Sequence, residues 1–235
     1  YVRNKRKACE NVGIYSEEHK LKAETSEEEL LELIDKLNND KKINGILIQL
    51  PLPSHINESL ILNSVSSDKD VDGFHPINAG NLFEGKPSFI ACTPHGILKM
   101  LEHYNVEIEG KNAVVLGRSN IVGKPAAILL LQKNATVTIC HSRTQNLEGI
   151  LKDADIIVAA IGRANFVKAN MVKKGAIVVD VGINRLDSGK LVGDVNFDEV
   201  EPISKLITPV PGGVGPMTIT MLLWNTVLSY EKSVS

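Results

Sequence analysis

Three features of the 235-residue sequence predict an α/β protein of two domains. Helical and extended patterns alternate along the chain. The strand-like runs of the second half are near-continuous Val and Ile, as in a parallel sheet covered on both faces. A break marked by Thr93 and Pro94 separates two such series. Composition agrees: 43% apolar residues, 23% charged residues and a net charge of −2 describe an ordinary globular chain. No apolar run approaches the roughly 18 residues needed to span a bilayer, so no membrane partner is expected. Lys and Arg are mixed among Asp and Glu, which gives no basic surface for a phosphate backbone and no case for nucleic acid. Cys9, Cys92 and Cys140 are odd in number and form no CxxC pair, which argues against disulfides or zinc and for a reducing compartment. Small molecules are the expected partners.

Taken in order, the residues from Tyr1 to Gly13 read as a helix closed by glycine. No methionine or capping residue precedes them, which predicts a chain that begins inside an element, so the lack of a signal peptide in it says little; the cytoplasm is the expected compartment. A weaker strand is expected at 16–23. Ser26-Glu-Glu-Glu29 is a capping box, and Leu30, Leu33, Ile34 and Leu37 follow at helical spacing, which predicts a helix over 27–39. Residues 45–50 are an apolar run stopped by Pro51 and Pro53, the pattern of a buried strand that ends in a rigid loop. A helix at 58–65 leads into a loop at 67–76. Thr93 as N-cap, with Pro94 at the first helical position, opens a helix reaching about Tyr104. The domain change is placed there: residues 1–93 with 217–235 form one domain and residues 94–216 the other. The second domain is expected to hold strands at 113–117, 135–140, 156–161 and 176–181. Between them lie a glycine-containing loop and helix at 118–132 and a helix at 146–153. No period of 20–50 residues recurs, so a solenoid is excluded. The apolar helix that follows Pro216, over 217–231, is long enough to pack back on the first domain.

The loop after the strand at 113–117 reads Gly117-Arg118-Ser119-Asn120-Ile121-Val122-Gly123 and opens a helix. At such a turn, backbone N–H groups and a helix N-terminus face a pyrophosphate, which makes the second domain Rossmann-like, a doubly wound parallel sheet. The spacing is G-x-S-x-x-x-G and not G-x-G-x-x-G, so the motif alone is equally that of an ordinary strand-to-helix turn. The next strand adds information. In NAD sites it ends in an acid that binds the ribose 2′-hydroxyl, whereas here it ends Cys140-His141-Ser142-Arg143-Thr144, with no acid before Glu148. A carboxylate repels a 2′-phosphate, while Ser142, Arg143 and the nearby Arg118 can bind one through charge-assisted hydrogen bonds. The cofactor expected is NADP.

Several candidates also carry bland readings. Lys5 lies in a run with Arg3, Arg6 and Lys7, the pattern of a solvated helix face. Gln49 at a strand end can satisfy loop backbone groups. Asp68-Lys-Asp70-Val-Asp72-Gly73 imitates the opening of an EF-hand, but its twelfth position is Ala79 and Pro76 interrupts it, so no calcium is expected. Asp68 and Asp70 read as solvated or turn residues, and Asp72 as the functional candidate. The six histidines form no metal-ligand spacing; His141 borders the proposed 2′-phosphate pocket. Pro209, Pro211 and Pro216 stiffen the Gly212-Gly213-Val214-Gly215 stretch into a loop whose backbone a ligand can approach.

Four segments are more specific than packing requires: Tyr1-Val-x-x-Lys5, Gln49-Leu-Pro-Leu-Pro53, Lys69-Asp-Val-Asp-Gly73 and Thr208-Pro-Val-Pro-Gly-Gly-Val-Gly-Pro-Met217. With the glycine loop and Asp180-Val-Gly-Ile-Asn184, they closely resemble the bifunctional methylenetetrahydrofolate dehydrogenase/cyclohydrolase family over essentially the whole chain. Members of that family carry several tens of residues before the matched tyrosine. The resemblance implies two steps in a cleft between the domains. Hydride passes from 5,10-methylenetetrahydrofolate to NADP+, and water then opens the 5,10-methenyl cation to 10-formyltetrahydrofolate, chemistry of one-carbon metabolism that feeds purine biosynthesis. It implies Lys5 as the acid/base residue, Gln49 as its positioner, Asp72 on the pterin and Tyr1 stacked on the folate. Pro211, Gly212 and Gly213 line the folate and nicotinamide side, and Gly117, Arg118, Ser119, Ser142 and Ile183 hold the dinucleotide. A homodimer is also implied. Three other readings stay open on the residues themselves: a dehydrogenase of another small substrate, a non-catalytic NADP-binding body, and a monofunctional dehydrogenase, which retention of Lys5 opposes.

Overall fold

The computed structural model of the chain describes residues 2–234. In order, its elements are α1 (Val2–Asn11), α2 (Glu27–Asn39), α3 (Glu58–Ser64), α4 (Pro76–Phe83), α5 (Cys92–His103), β1 (Asn112–Leu116), α6 (Gly123–Gln132), β2 (Thr136–Cys140), α7 (Leu147–Lys152), β3 (Ile156–Ala159), β4 (Ile177–Asp180), β5 (Asn184–Arg185), β6 (Leu191–Val192), α8 (Phe197–Val200), β7 (Leu206–Ile207) and α9 (Val214–Val234). Two compact units result, one of the residues up to Cys92 with those from Ile219 onward, the other Thr93–Thr218.

In the first unit, α2 begins as its capping box dictates: Ser26 Oγ accepts from the Glu29 amide at 3.1 Å, and Glu29 Oε2 accepts from the Ser26 amide at 3.0 Å. Its apolar stripe buries Leu30 and Ile34 against Ile46, Ile56, Ile61 and Val65. Asn38 ties α2 to the end of α3, donating to the Ser64 carbonyl at 2.7 Å and accepting from the Ser66 amide at 2.9 Å. The C-terminal part of α9 supplies Asn225 and Ser229, whose side chains bond carbonyls of residues 44, 68, 71 and 90.

Two predicted strands of this unit do not form. Along 45–50 only Ile46 finds a ladder partner, Asp70, and residues 45–49 line a cavity of about 750 Å³. An apolar run becomes a strand only where a neighbouring backbone meets its N–H and C=O groups. Residues 16–23 are irregular, with Tyr15 and Leu21 exposed, so alternation there follows no buried face. The loop expected at 67–76 ends in an unforeseen helix, α4, whose His75 cap accepts from the Ile77 amide and whose first residue is Pro76. Thr93 is not an N-cap: α5 begins one residue earlier, and Thr93 Oγ1 instead lies 2.9 Å from Thr218 Oγ1.

The second unit is a five-stranded parallel sheet in the order β2-β1-β3-β4-β7. β1, β3 and β4 are almost wholly buried, which explains their unbroken Val and Ile runs. β2 is the edge and leaves Thr136, Thr138 and Ile139 exposed. The order reverses at β1, so the carboxyl ends of β1 and β3 form the topological switch point where open sheets of this type bind ligands. The fifth strand, β7, and the short β5–β6 pair were not legible, because pairs of two residues carry no period.

Candidate functional site

Lys5, Gln49 and Asp72 come from three separate segments of the first unit. α1 presents Lys5 half-buried, while Arg3, Arg6 and Lys7 beside it are exposed, so the solvated-face reading holds for the neighbours and fails for Lys5. Gln49 Oε1 accepts from Lys5 Nζ at 3.3 Å, and Gln49 Nε2 donates to its neighbour's carbonyl, Leu50 O, at 3.1 Å. Burial holds the Lys5 amine below its ordinary value, with Asp72 pulling the other way. Burial pushes the Asp72 carboxyl up to about 7, opposed by Lys5 and aided by Asp70. Amine and carboxyl thus sit close enough to feel one another, and both titrate nearer neutrality than free side chains do.

Two residues that sequence reasoning missed complete this cluster. The Cys92 thiol donates to the Val71 carbonyl at 3.2 Å, and burial and Asp72 keep it well above the usual thiol range, hence protonated. Asn225 Nδ2 donates at 2.9 Å to both Val71 O and Ile90 O. The Cys92 amide donates to the backbone carbonyl of Asp72 at 3.3 Å, so the backbone that carries Asp72 is held by a small polar lattice. The available sign was an amide inside the apolar run Met221-Leu-Leu-Trp-Asn225-Thr-Val-Leu, where a polar side chain needs a buried partner. Asp70 is a buried turn residue, accepting from the His75 amide and Asn78 Nδ2, and Asp68 is exposed. No group of three His, Cys, Asp or Glu that could hold a metal occurs among the described residues. Tyr1 lies outside the described residues.

In the second unit the proposed cofactor residues sit on loops at the carboxyl ends of β1, β2 and β4. Gly117 closes β1 with its amide on Cys140 O at 2.9 Å and adopts φ +125°; a Cβ there overlaps the Ala160 carbonyl after β3. Only glycine lets these two loops touch at the switch point. Ser119 Oγ accepts from the Val122 and Gly123 amides at 3.1 and 3.3 Å and so satisfies the first N–H of α6 from the preceding turn. Beyond β2, His141 builds the turn: its Nδ1 accepts from the Arg143 amide at 3.2 Å, and its own amide donates to Thr144 Oγ1 at 2.8 Å. Ser142, Arg143 and Arg118 are left exposed. Ile183 is 63% exposed on the loop after β4. Pro211 and Gly212 are exposed and Gly213 is buried in the turn that precedes α9.

A glycine turn between strand and helix, basic and hydroxyl groups where NAD sites carry an acid, and a separate amine–amide–carboxyl cluster define a dinucleotide-dependent α/β enzyme. Comparison with known proteins is specific. The pattern of the tetrahydrofolate dehydrogenase/cyclohydrolase catalytic domain matches residues 1–72, and that of the family's NAD(P)-binding domain matches residues 91–234. The bifunctional protein FolD of Enterococcus faecalis is 60% identical over 232 residues, 99% of this chain and 83% of that protein. A crystal structure of the FolD dehydrogenase/cyclohydrolase of Campylobacter jejuni superposes with a TM-score of 0.97 at 55% identity, covering 99% of this chain and 83% of that one. The Trypanosoma brucei enzyme, solved with NADP cofactor and inhibitor, gives 0.96 at 40% identity, covering 100% and 82%. The chain belongs to the tetrahydrofolate dehydrogenase/cyclohydrolase family. None of its described helices is long and apolar enough to cross a membrane.

Proposed function

We infer that this chain oxidises 5,10-methylenetetrahydrofolate to 5,10-methenyltetrahydrofolate with NADP+ and hydrolyses that product to 10-formyltetrahydrofolate. The unit of Lys5, Gln49 and Asp72 takes the folate, and the parallel-sheet unit takes NADP. The observation that carries the reading is the half-buried Lys5 amine, lowered by burial and hydrogen-bonded to a neutral amide.

Bound NADP+ supplies the hydride acceptor of the first step. For that step the chain contributes position, because the folate nitrogen lone pair does the electronic work. Water addition to the methenyl carbon needs a base. Lys5 can take a proton from water only when neutral, and both burial and a cationic substrate favour the neutral amine. Gln49 orients the amine without adding the negative charge that would hold it protonated. Asp72, whose backbone is held by the Cys92 amide and through Val71 by Asn225, offers its carboxyl to the pterin. Tyr1 is assigned to the folate ring by resemblance alone. In the second unit, Ser142, Arg143 and Arg118 offer donors to a 2′-phosphate, Gly117 and Ser119 shape the pyrophosphate turn, Ile183 helps hold the dinucleotide, and Pro211, Gly212 and Gly213 line the folate and nicotinamide side. A homodimer in the cytoplasm, in the service of one-carbon metabolism and purine biosynthesis, belongs to the same reading.

The test is NADPH formation on adding 5,10-methylenetetrahydrofolate, with NADP+ and NAD+ in parallel. Turnover with NADP+ is expected, with NAD+ markedly poorer. Absence of turnover with either removes the assignment.

A further inference from the structure

A polar network in the second unit lies outside every role assigned above. Asp180, at the end of β4, and Asp194, just after β6, are both buried, with 3% and 0% of their surfaces exposed. Among the described residues neither forms a salt bridge with a lysine or arginine side chain; their hydrogen-bond partners are N–H groups of the surrounding loops. Asp194 Oδ2 accepts from the Ile161 and Gly162 amides at 2.6 and 3.0 Å, and its Oδ1 accepts from the Arg163 amide at 2.8 Å and Asn184 Nδ2 at 3.0 Å. Asp180 Oδ1 accepts from the Gly182 and Asp194 amides at 3.0 and 2.9 Å, and Oδ2 from the Val195 amide at 2.9 Å. Thr208 Oγ1 accepts from the Asp180 amide at 2.8 Å and donates to its carbonyl at 3.3 Å. The carboxylates crowd the backbone so closely that a Cβ at Gly182 would overlap Asp194 and one at Gly193 would overlap Asp180.

The connections run in series. Thr208, where the Pro209–Gly213 turn begins, is bonded to the end of β4; the end of β4 holds the Asp194 backbone; the Asp194 carboxylate holds the loop after β3. That loop starts at Ala160, whose carbonyl lies against Gly117 at the switch point. Ile183 stands between Gly182 and Asn184, which are bonded to one carboxylate each. Two buried carboxylates without a countercharge cost several kcal/mol unless hydrogen-bonded, so packing alone gives no reason for them where an apolar pair would serve. What carboxylates can do, and apolar side chains cannot, is collect N–H groups from several loops onto four oxygens.

We propose that Asp180 and Asp194 are positioning residues for the dinucleotide: their carboxylates set the loops after β3, β4 and β6 in the shape that receives NADP, and the Asp180 backbone ties in Thr208 at the end of β7. The proposal rests on the functional reading above, and its tests separate the two. Asp194→Asn keeps one acceptor oxygen and turns an NH₂ toward N–H donors, so it withdraws one of the two oxygens that hold the amides of residues 161–163. Asn184→Ala is the milder variant, removing a single donor from Asp194 and the anchor beside Ile183.

The experiment measures the NADP+ dissociation constant by calorimetry for both variants, hydrolysis of supplied 5,10-methenyltetrahydrofolate, which consumes no dinucleotide, and amide hydrogen exchange without NADP. For Asp194→Asn the expected result is binding weakened about tenfold or more, the loss of charge-assisted hydrogen bonds. Exchange at Ile161, Gly162 and Arg163 is expected to accelerate while hydrolysis stays within about twofold of wild type. Asn184→Ala is expected to show the same split at smaller amplitude, and it decides the case if Asp194→Asn does not fold. Unchanged NADP+ affinity in Asn184→Ala, or parallel loss of affinity and hydrolysis in it, overturns the proposal. If the wild-type chain binds NADP+ but turns over no folate, the functional reading fails while the positioning test still stands.

Discussion

At the scale of single residues, Lys5 shows why burial and not residue type decides chemistry. Among four basic side chains in seven positions, it is the half-buried one, and it alone bonds Gln49. Lys5→Met is therefore expected to abolish the cyclohydrolase while leaving measurable dehydrogenase activity; equal loss of both would make Lys5 a structural or binding residue. Gln49→Glu places a negative charge where the neutral amide stood and holds the amine protonated. The pH at which hydrolysis switches on is expected to move upward, with activity at pH 7 down by about tenfold or more. A profile that does not move would remove Lys5 as the base. Asp72 carries a second pH effect. Its folded carboxyl titrates at about 7, above its ordinary value near 3.8, so the folded state holds this proton more tightly than the unfolded chain does. The stability it contributes is present below about pH 4 and is lost as pH rises through 7. Urea midpoints measured from pH 4.5 to pH 8 should fall less steeply in Asp72→Asn than in wild type.

At the scale of elements, legibility followed the locality of the cause. The helix α2 was readable to its last residue because capping box and apolar stripe are contained within it. β1 and β4 were readable to within a residue at each end, and β3 from its start, because their burial on both faces leaves an unbroken apolar run. The run at 45–50 has the same composition and is not a strand, since a ladder needs a partner and only Asp70 provides one. α4 carried a readable start in His75 and Pro76, but its apolar stripe is too short to stand out. Tight contacts between elements give their own prediction. Gly117→Ala must overlap the Ala160 carbonyl at a positive φ, so it is expected to destabilise the second unit by about 2 kcal/mol or more and to weaken NADP binding. Thermal unfolding with and without NADP would check both effects.

At the scale of the whole molecule, NADP was legible from something written locally: the turn after β2 carries Ser142 and Arg143, with no acid before Glu148. Reversing that charge, Arg143→Glu, is expected to raise the KM for NADP+ about tenfold or more and to leave that for NAD+ nearly unchanged. Equal changes for both dinucleotides would place the 2′-phosphate elsewhere. The sequence by itself determined the α/β class, the family, NADP as the cofactor and the residues proposed to meet folate and NADP, because motifs, caps and apolar runs are properties of neighbouring residues. Tertiary structure alone decided that Lys5 is half-buried beside Gln49, that Asn225 braces Asp72 through Val71 and Ile90, and that Asp180 and Asp194 gather three loops. Those facts join residues separated by tens to more than a hundred positions. Desolvation and hydrogen bonding act through space, and no local pattern records which distant groups the folded backbone brings together.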